Sequence, residues 1–328
     1  MTIYDEFAFI DHIKPNKIHN QDLIAGIGDD AALVGLPRDM DQIICLDTMV
    51  EDVHFTSQTM SPKQIGHKAL AVNISDIAAM GGTPAYYLVS IAIPKTWSQL
   101  DVEAIYEGMS SLSETYQIDL IGGDTVSSPG PLMVSVTLIG YIEKGKKLLR
   151  SNARPGDVVF ITGTVGDSAA GLDLLLKHGR NYPYNEDESY LTGRHQLPSP
   201  RVEIGRHLAV INRVSLNDIS DGVASEANEI AKASDVDIHI EEQAIPLGTQ
   251  LQQYNQQRAM DYAFFGGEDF ELIGTMSPAD WEIFQKQMVK QNILVTNVGR
   301  VVEGKGEVFL SKNGELTLLE KRGYNHFK

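Results

Sequence analysis

The chain has 328 residues, one cysteine, and 27 Lys and Arg against 44 Asp and Glu, a formal charge of −17. Two domains of about 100–200 residues are the ordinary division of such a length. The acidic excess excludes a protein that grips nucleic acid through a basic face, because releasing counterions from phosphates needs clustered Lys and Arg. Cys45 alone allows no intrachain disulfide, residues 1–14 carry Asp5, Glu6 and Asp11 where an export signal would be basic, and no run of about 18 apolar residues occurs. A cytoplasmic protein without membrane attachment is expected.

Residues 42–47 and 88–93 are apolar runs of strand length, the first ending at Asp47 and the second stopped by Pro94. Between them, residues 64–80 predict a buried helix. Ile65, Ala69, Val72 and Asp76 fall on one of its stripes, and a carboxylate there needs a partner. Val102, Ile105, Met109, Leu112 and Tyr116 predict a second, amphipathic helix, followed by a loop at Gly122-Gly123-Asp124-Thr125 and a strand over 132–142. The Lys-, Arg- and Gly-rich stretch 143–157 places a domain boundary near 150, giving domains 1–149 and 150–328.

Beyond it, strands over 158–162 and 214–219 alternate with helices from Asp167, after Pro200 and over 221–234, the pattern of a mixed α/β domain. Ser277-Pro278-Ala279-Asp280 is an N-cap, an N1 proline and an acidic N3 ahead of another helix, and Asn313-Gly314 marks a hairpin. A short echo, Asn73-Ile74-Ser75-Asp76 against Asp218-Ile219-Ser220-Asp221, is the one hint of related halves.

The chemistry lies in the acidic loops. Gly26-Ile27-Gly28-Asp29-Asp30-Ala31 fits a loose dinucleotide pattern, but adjacent aspartates repel a pyrophosphate unless a cation intervenes. Asp47, Asp76, Asp124, Asp218 and Asp221 stand in similar company with Gly, Ser and Thr. Any one of these is ordinarily a turn or cap. Together they suit Mg²⁺, which takes one or two carboxylates plus substrate phosphates. There is no Gly-Lys-Ser/Thr phosphate loop, no protein-kinase catalytic set and no zinc-type spacing among the nine histidines. Cys45 has no paired thiol or basic neighbour in sequence and is expected to be an inert core side chain.

These residues carry a resemblance. Gly26-Ile27-Gly28-Asp29-Asp30-Ala31, Asp47-Thr48 with His54-Phe55, the run from Lys68 to Asp76, Gly122-Gly123-Asp124-Thr125, Arg150-Ser151 with Arg154-Pro155-Gly156-Asp157, Asp218-Ile219-Ser220-Asp221-Gly222, Gly266-Gly267-Glu268-Asp269-Phe270-Glu271 and Gly323-Tyr324-Asn325-His326-Phe327 occur in order. In this set the chain resembles the thiamine-monophosphate kinase family along nearly its whole length. It departs where Cys45 and Leu46 replace two hydroxyl residues, so a metal contact there would fall to backbone carbonyls.

The resemblance implies the α+β/α/β fold shared with aminoimidazole-ribonucleotide synthetase. That fold has an N-terminal sheet-plus-helices domain that binds ATP and Mg²⁺ and pairs across a homodimer, and a C-terminal mixed α/β domain that completes the site. It implies transfer of the γ-phosphoryl group of ATP to thiamine monophosphate, the final step of thiamine diphosphate biosynthesis. Asp30, Asp47, Asp76, Asp124, Asp218 and Asp221 correspond to Mg²⁺ ligands. Tyr106, Gly123, Asp124, Arg150 and Ser220 correspond to ATP contacts, and His54, Glu268 and Tyr324 to substrate contacts. No general base is implied, because the acceptor phosphate is already anionic. The rival readings are another ATP-dependent synthetase of the same superfamily and a Mg-nucleotide sensor without turnover.

Overall fold

The structure is a computed structural model and describes residues 12–27 and 31–322. Asp30 and Tyr324 lie outside the described residues. The chain forms two compact units. One comprises the residues up to Ile77 together with Gly82–Gly145 and Gly179–Asn181, and the other comprises Ala78–Gly81, Lys146–His178 and the residues from Tyr182 onward.

The first unit is built on a four-stranded sheet in the order β3 (Met40–Val50), β6 (Met133–Glu143), β4 (Thr83–Pro94), β5 (Asp119–Ser128). A separate small hairpin joins β1 (Leu23–Ala25) to β2 (Leu33–Val34). β3 and β6 run antiparallel from Met40 opposite Glu143 to Val50 opposite Met133, and β4 and β5 run parallel. Strand alternation then sorts the side chains by face. Ile43, Cys45, Asp47 and Met49 share one face, and Ile44, Leu46 and Thr48 the other.

Helix α1 (Pro62–Ala79) starts with a reciprocal cap, in which Gln64 N–H donates to Ser61 Oγ and Ser61 N–H to the Gln64 carboxamide, with Pro62 in the first turn. Helix α2 (Gln99–Tyr116) has the same device in Ser98 and Asp101. The two helices touch through glycines. A Cβ on Gly66 would stand 1.8 Å from the Ile105 carbonyl oxygen, and one on Gly108 would stand 1.9 Å from that of Lys63. α1 is buried almost all round, including Lys68, Asn73 and Ser75, but its stripe opens at Val72 and Asp76, which are half-buried.

The second unit holds a seven-stranded sheet in the order β13 (Glu315–Leu318), β12 (Val308–Lys312), β9 (Val236–Glu241), β11 (Val295–Glu303), β7 (Val158–Thr162), β10 (Leu272–Met276), β8 (Val214–Asp218). Only β12 and β9 pair parallel. Its helices are α3 (Asp167–His178), α4 (Glu186–Gln196), α5 (Val202–Ala209), α6 (Val223–Ser234), α7 (Thr249–Asn255), α8 (Ala259–Phe265) and α9 (Pro278–Lys290). Alternate residues of β7 feed different cores. Val159 and Ile161 pack with Val223, Ala227 and Ile230 of α6, while Phe160 packs with Leu208 of α5 and with Trp281 and Phe284 of α9. Helices thus cover both faces, the layering expected of an α/β domain.

Four expectations are corrected. The residues 122–125 are not a loop but part of β5, paired one for one with β4 from Leu88 to Ile91. Asp47 does not end its strand; β3 continues to Val50 because β6 supplies partners that far. The helix after Asp221 begins at Val223, since Gly222 adopts φ 94°. The echo of 73–76 in 218–221 is not structural, because the first segment is helical and the second leaves a strand. Ser277, Asp280 and the Asn313-Gly314 hairpin form as expected, with both turn residues at positive φ. α4 was not legible, because its residues are mostly polar and only the cap Asn185/Glu188 marks its start.

Candidate active site

In the first unit, Asp47 and Cys45 on β3 face α1, where the Cys45 Sγ lies 3.4 Å from the Asn73 carbonyl. Asp47 shares a hydrogen bond with Asp76. Two carboxylates can do this only around a proton or another positive charge. Burial pushes the Asp47 carboxyl up, opposed by that hydrogen bond and by the nearby His54. His54 follows β3 in a tight turn and accepts from the Val50 amide through Nδ1 at 3.0 Å, which leaves its proton for Nε2. Burial, followed by Asp76 and Asp47, pushes the Cys45 thiol up as well.

Gly123 and Asp124 divide between the sheet's faces. Val89 opposite Gly123 also opposes Val136, the partner of Asp47, so Gly123 lies in the Asp47 row. Asp124 lies instead in the row Thr48, Ser135, Ser90 on the other face. Thr48 and Ser135 are joined there by a 2.6 Å hydroxyl hydrogen bond. Asp47 and Asp124 are also on the two edge strands, three spacings or roughly 14 Å apart. The unit therefore gathers Asp47, Asp76 and His54 but does not bring Asp124 to them. Tyr106 of α2 is buried and hydrogen-bonds Thr125, next to Asp124. Burial raises its hydroxyl pKa, and its ring borders a cavity of about 280 Å³ between α2 and residues 12–19.

In the second unit, the site is the loop that leaves β8 and enters α6. Asp218 ends the strand buried, while Ser220 and Asp221 are half-buried. Gly222 is required here: a Cβ would stand 2.6 Å from the Gly266 carbonyl oxygen and 2.7 Å from that of Phe264. The segment 266–271 closes over the loop, Phe270 N–H donating to Ile219 O at 2.9 Å and Ile219 N–H to Glu271 O at 2.7 Å. Glu268 and Phe270 take φ 68° and 49°, uncommon for residues with a Cβ. The Glu268 carboxylate lies 3.3 Å from Nδ1 of His195, which is also 3.3 Å from Ser168 Oγ. Below it, fully buried Glu271 accepts from Thr162 Oγ1 at 2.7 Å and pairs with Arg194 and Arg201. Asp269 is buried among the amides of Gly166 and Ser168, and burial pushes its carboxyl up to about 7 against the pull of Arg194.

Arg150 is half-exposed and donates through Nε to Asn217 Oδ1 at 2.9 Å. Asn217 in turn donates to Glu226, which accepts from Asp221 N–H at 3.1 Å and Ser220 Oγ at 3.3 Å. Burial, then Asp218, pushes the Glu226 carboxyl up to about 7. Asn217, Glu226, His195 and Ser168 were missed by sequence reasoning. Glu226 carried one signal, an acidic residue in the first turn of a helix, which reads equally well as a complement to the helix dipole.

These donor sets fit a hard divalent cation. Among the described residues no three His, Cys, Asp or Glu side chains converge on one point. Mg²⁺ keeps waters and takes one or two carboxylates plus phosphate oxygens, and Asp47, Asp76, Asp218 and Asp221 offer oxygen donors of that kind. No helix of the described residues is long and apolar enough to cross a membrane.

The two units and their acidic loops define a class, the AIR synthase related proteins. The N-terminal family model matches residues 28–142 and the C-terminal one residues 154–311. The thiamine-monophosphate kinase of Bacillus subtilis (strain 168) is 49% identical over 325 residues, covering 99% of this chain and 100% of the relative. The crystal structure of the thiamine-monophosphate kinase from Stenotrophomonas maltophilia K279a is 33% identical, covers 95% of this chain and 98% of its own, and superposes with a TM-score of 0.86. AaThiL complexed with AMPPCP and TMP is 35% identical over 98% of this chain and 97% of its own, with a TM-score of 0.78. The chain belongs to the thiamine-monophosphate kinase family.

Proposed function

We propose that the protein transfers the γ-phosphoryl group of ATP to the phosphate of thiamine monophosphate, giving thiamine diphosphate and ADP by direct in-line displacement. The observation that carries the reading is the hydrogen-bonded pair of carboxylates, Asp47 and Asp76, on the helix-facing side of β3, with His54 beside Asp47. The solved relative with AMPPCP and TMP supports both substrates.

Asp30, Asp47, Asp76, Asp124, Asp218 and Asp221 are the residues that would hold several Mg²⁺ ions. Bound there, the metal neutralises the two anionic substrates and stabilises charge on the transferred group. The chain's own residues bind and orient. Arg150 and Ser220 meet ATP phosphates, Gly123 offers backbone without a side chain in the way, and Tyr106 borders a cavity for part of the nucleotide. Glu268, His54 and Tyr324 supply a carboxylate, an imidazole and an aromatic face to a substrate with a cationic thiazolium and an aminopyrimidine. No side chain needs to remove a proton, because the second pKa of a phosphate monoester is near 6.

The reading includes a cytoplasmic homodimer. Ile44, Leu46, Val126 and Met133 are exposed apolar side chains on one face of the N-terminal sheet, an area a second copy would cover. The deciding experiment incubates the protein with ATP, Mg²⁺ and thiamine monophosphate and measures thiamine diphosphate. Binding of both substrates without product would show a sensor, and equal turnover of unphosphorylated thiamine would remove the acceptor assignment.

A further inference from the structure

We propose that Asn217 and Glu226 are positioning residues that align Arg150 with the Ser220-Asp221 loop through one ordered chain of donors and acceptors. The proposal rests on the reading of Arg150 and Ser220 as ATP contacts and Asp221 as a metal ligand.

The order of the chain is forced by its ends. Arg150 Nε can only donate, and a carboxylate can only accept. The amide of Asn217 must therefore present Oδ1 to Arg150 and Nδ2 to Glu226, and both contacts have that sense. The other carboxylate oxygen of Glu226 accepts from Asp221 N–H and Ser220 Oγ. Three residues with expected roles at the nucleotide thus hang on two to which the family resemblance assigns no such role.

The two are held rigidly. Asn217 is the penultimate residue of β8 and Glu226 lies in the first turn of α6, at 2% and 4% exposure. On either side, Leu216 and Ile219 are in the two cores, and so are Val223 and Ala227. The backbone of Arg150 is pinned independently, because Ser215 Oγ and Ser234 Oγ both donate to its carbonyl, at 2.8 and 2.7 Å. What remains free is the direction of the guanidinium. Among the described residues its closest carboxylate, Glu229, is 3.8 Å away, so the Nε contact to Asn217 is the one there that aims it. A guanidinium aimed by one nitrogen keeps the others for an anionic ligand.

The test reverses the polarity of the chain. Glu226→Gln places a donor where only acceptors stood. Either the Asp221 amide loses its acceptor, or the new amide faces Asn217, which then flips and turns its NH₂ toward Arg150. Adding Asn217→Asp restores the sense, because a carboxylate at 217 accepts from both sides and the pair keeps its single negative charge. Steady-state kinetics of the full chain should show KM for ATP raised roughly tenfold in Glu226→Gln, with KM for thiamine monophosphate within about twofold of wild type. The double variant should return KM for ATP to within about threefold. A residue that merely supports folding would lower stability without this split and without this rescue.

Unchanged KM for ATP in Glu226→Gln, or a double variant no better than the single one, overturns the proposal. Where Glu226→Gln lacks a cooperative melt, Asn217→Ala is read instead. It leaves Glu226 its contacts to Ser220 and Asp221 but removes the aim of Arg150, and an unchanged KM for ATP there overturns the proposal equally. Arg150→Ala separates the two layers of the argument. If it leaves KM for ATP unchanged, the nucleotide reading of Arg150 is wrong. If it raises KM while the Asn217 and Glu226 variants do not, that reading stands and the positioning role falls.

Discussion

The amide of Glu268 donates to the carbonyl of Ser220 at 2.7 Å, so the residue expected at the substrate and the residue expected at the nucleotide are one backbone hydrogen bond apart. Gly267 makes this possible, since a Cβ there would stand 2.3 Å from the same Ser220 oxygen. Gly267→Ala must push the two loops apart. Overpacking of this kind costs about 1–3 kcal/mol, so the melting temperature should fall and KM should rise for both substrates. Wild-type kinetics in this variant would show that the two loops do not work together.

The paired carboxylates of β3 and α1 predict a trade of stability for function. Asp47→Asn or Asp76→Asn replaces one carboxyl of a hydrogen-bonded pair by an amide that can still join that bond, and at Asp47 it removes a charge that burial disfavours. Thermal unfolding without Mg²⁺ should be unchanged or shifted upward. Turnover should drop by orders of magnitude if, as proposed, each residue is a ligand to the Mg²⁺ that holds the transferring phosphates. A variant with near-normal kcat at saturating Mg²⁺ would sink the assignment of that residue.

Cys45 is half-buried, and burial together with the field of Asp76 and Asp47 raises its thiol pKa, so the reactive thiolate is suppressed. Alkylation of the native protein at pH 8 should be far slower than that of a small-molecule thiol, and Cys45→Ser should keep its activity. Rapid inactivation of wild type by iodoacetamide, absent from Cys45→Ser, would contradict this.

Asp269 predicts an unusual pH dependence. Its folded pKa, pushed up to about 7, lies above that of an unfolded aspartate near 3.8. Between these values the folded state binds more protons, so this group's contribution to stability is greatest at low pH and falls as pH rises from about 4 through about 7. Melting curves of wild type and Asp269→Asn across that range should differ in slope, with the wild type declining more steeply toward neutral pH. Parallel slopes would place the titration elsewhere.

The proposed homodimer makes a prediction confined to one face of the N-terminal sheet. Ile44→Asp puts a charge among Leu46, Val126 and Met133, and sedimentation at micromolar concentration should show it shifted toward monomer. An unchanged dimer, or a monomeric wild type, would refute this use of the face.

Much of the frame was legible in the chain because its signals are local. The apolar run at 158–162 is β7 residue for residue, Ser277-Pro278-Ala279-Asp280 caps α9, and Asn313-Gly314 turns a hairpin. Each depends on side chains and backbone preferences within a few residues. The ordered acidic motifs likewise pointed to the family without any coordinates.

Other features were decided only by partners distant in sequence. Gly122-Gly123-Asp124-Thr125 has the composition of a loop, yet it runs as a strand because β4 offers a full row of parallel partners. The same pairing puts Gly123 and Asp124 on opposite faces, since side chains alternate along a strand. Asp47 meets Asp76 because β3 and α1 pack face to face across 29 residues of chain, and no local pattern encodes that approach. Asn217 and Glu226 look like an ordinary strand end and an ordinary acidic helix start. Their role exists only once β8, α6 and the Arg150 backbone are fixed in one frame, because a hydrogen-bond chain is a property of positions in space and not of residue types in order.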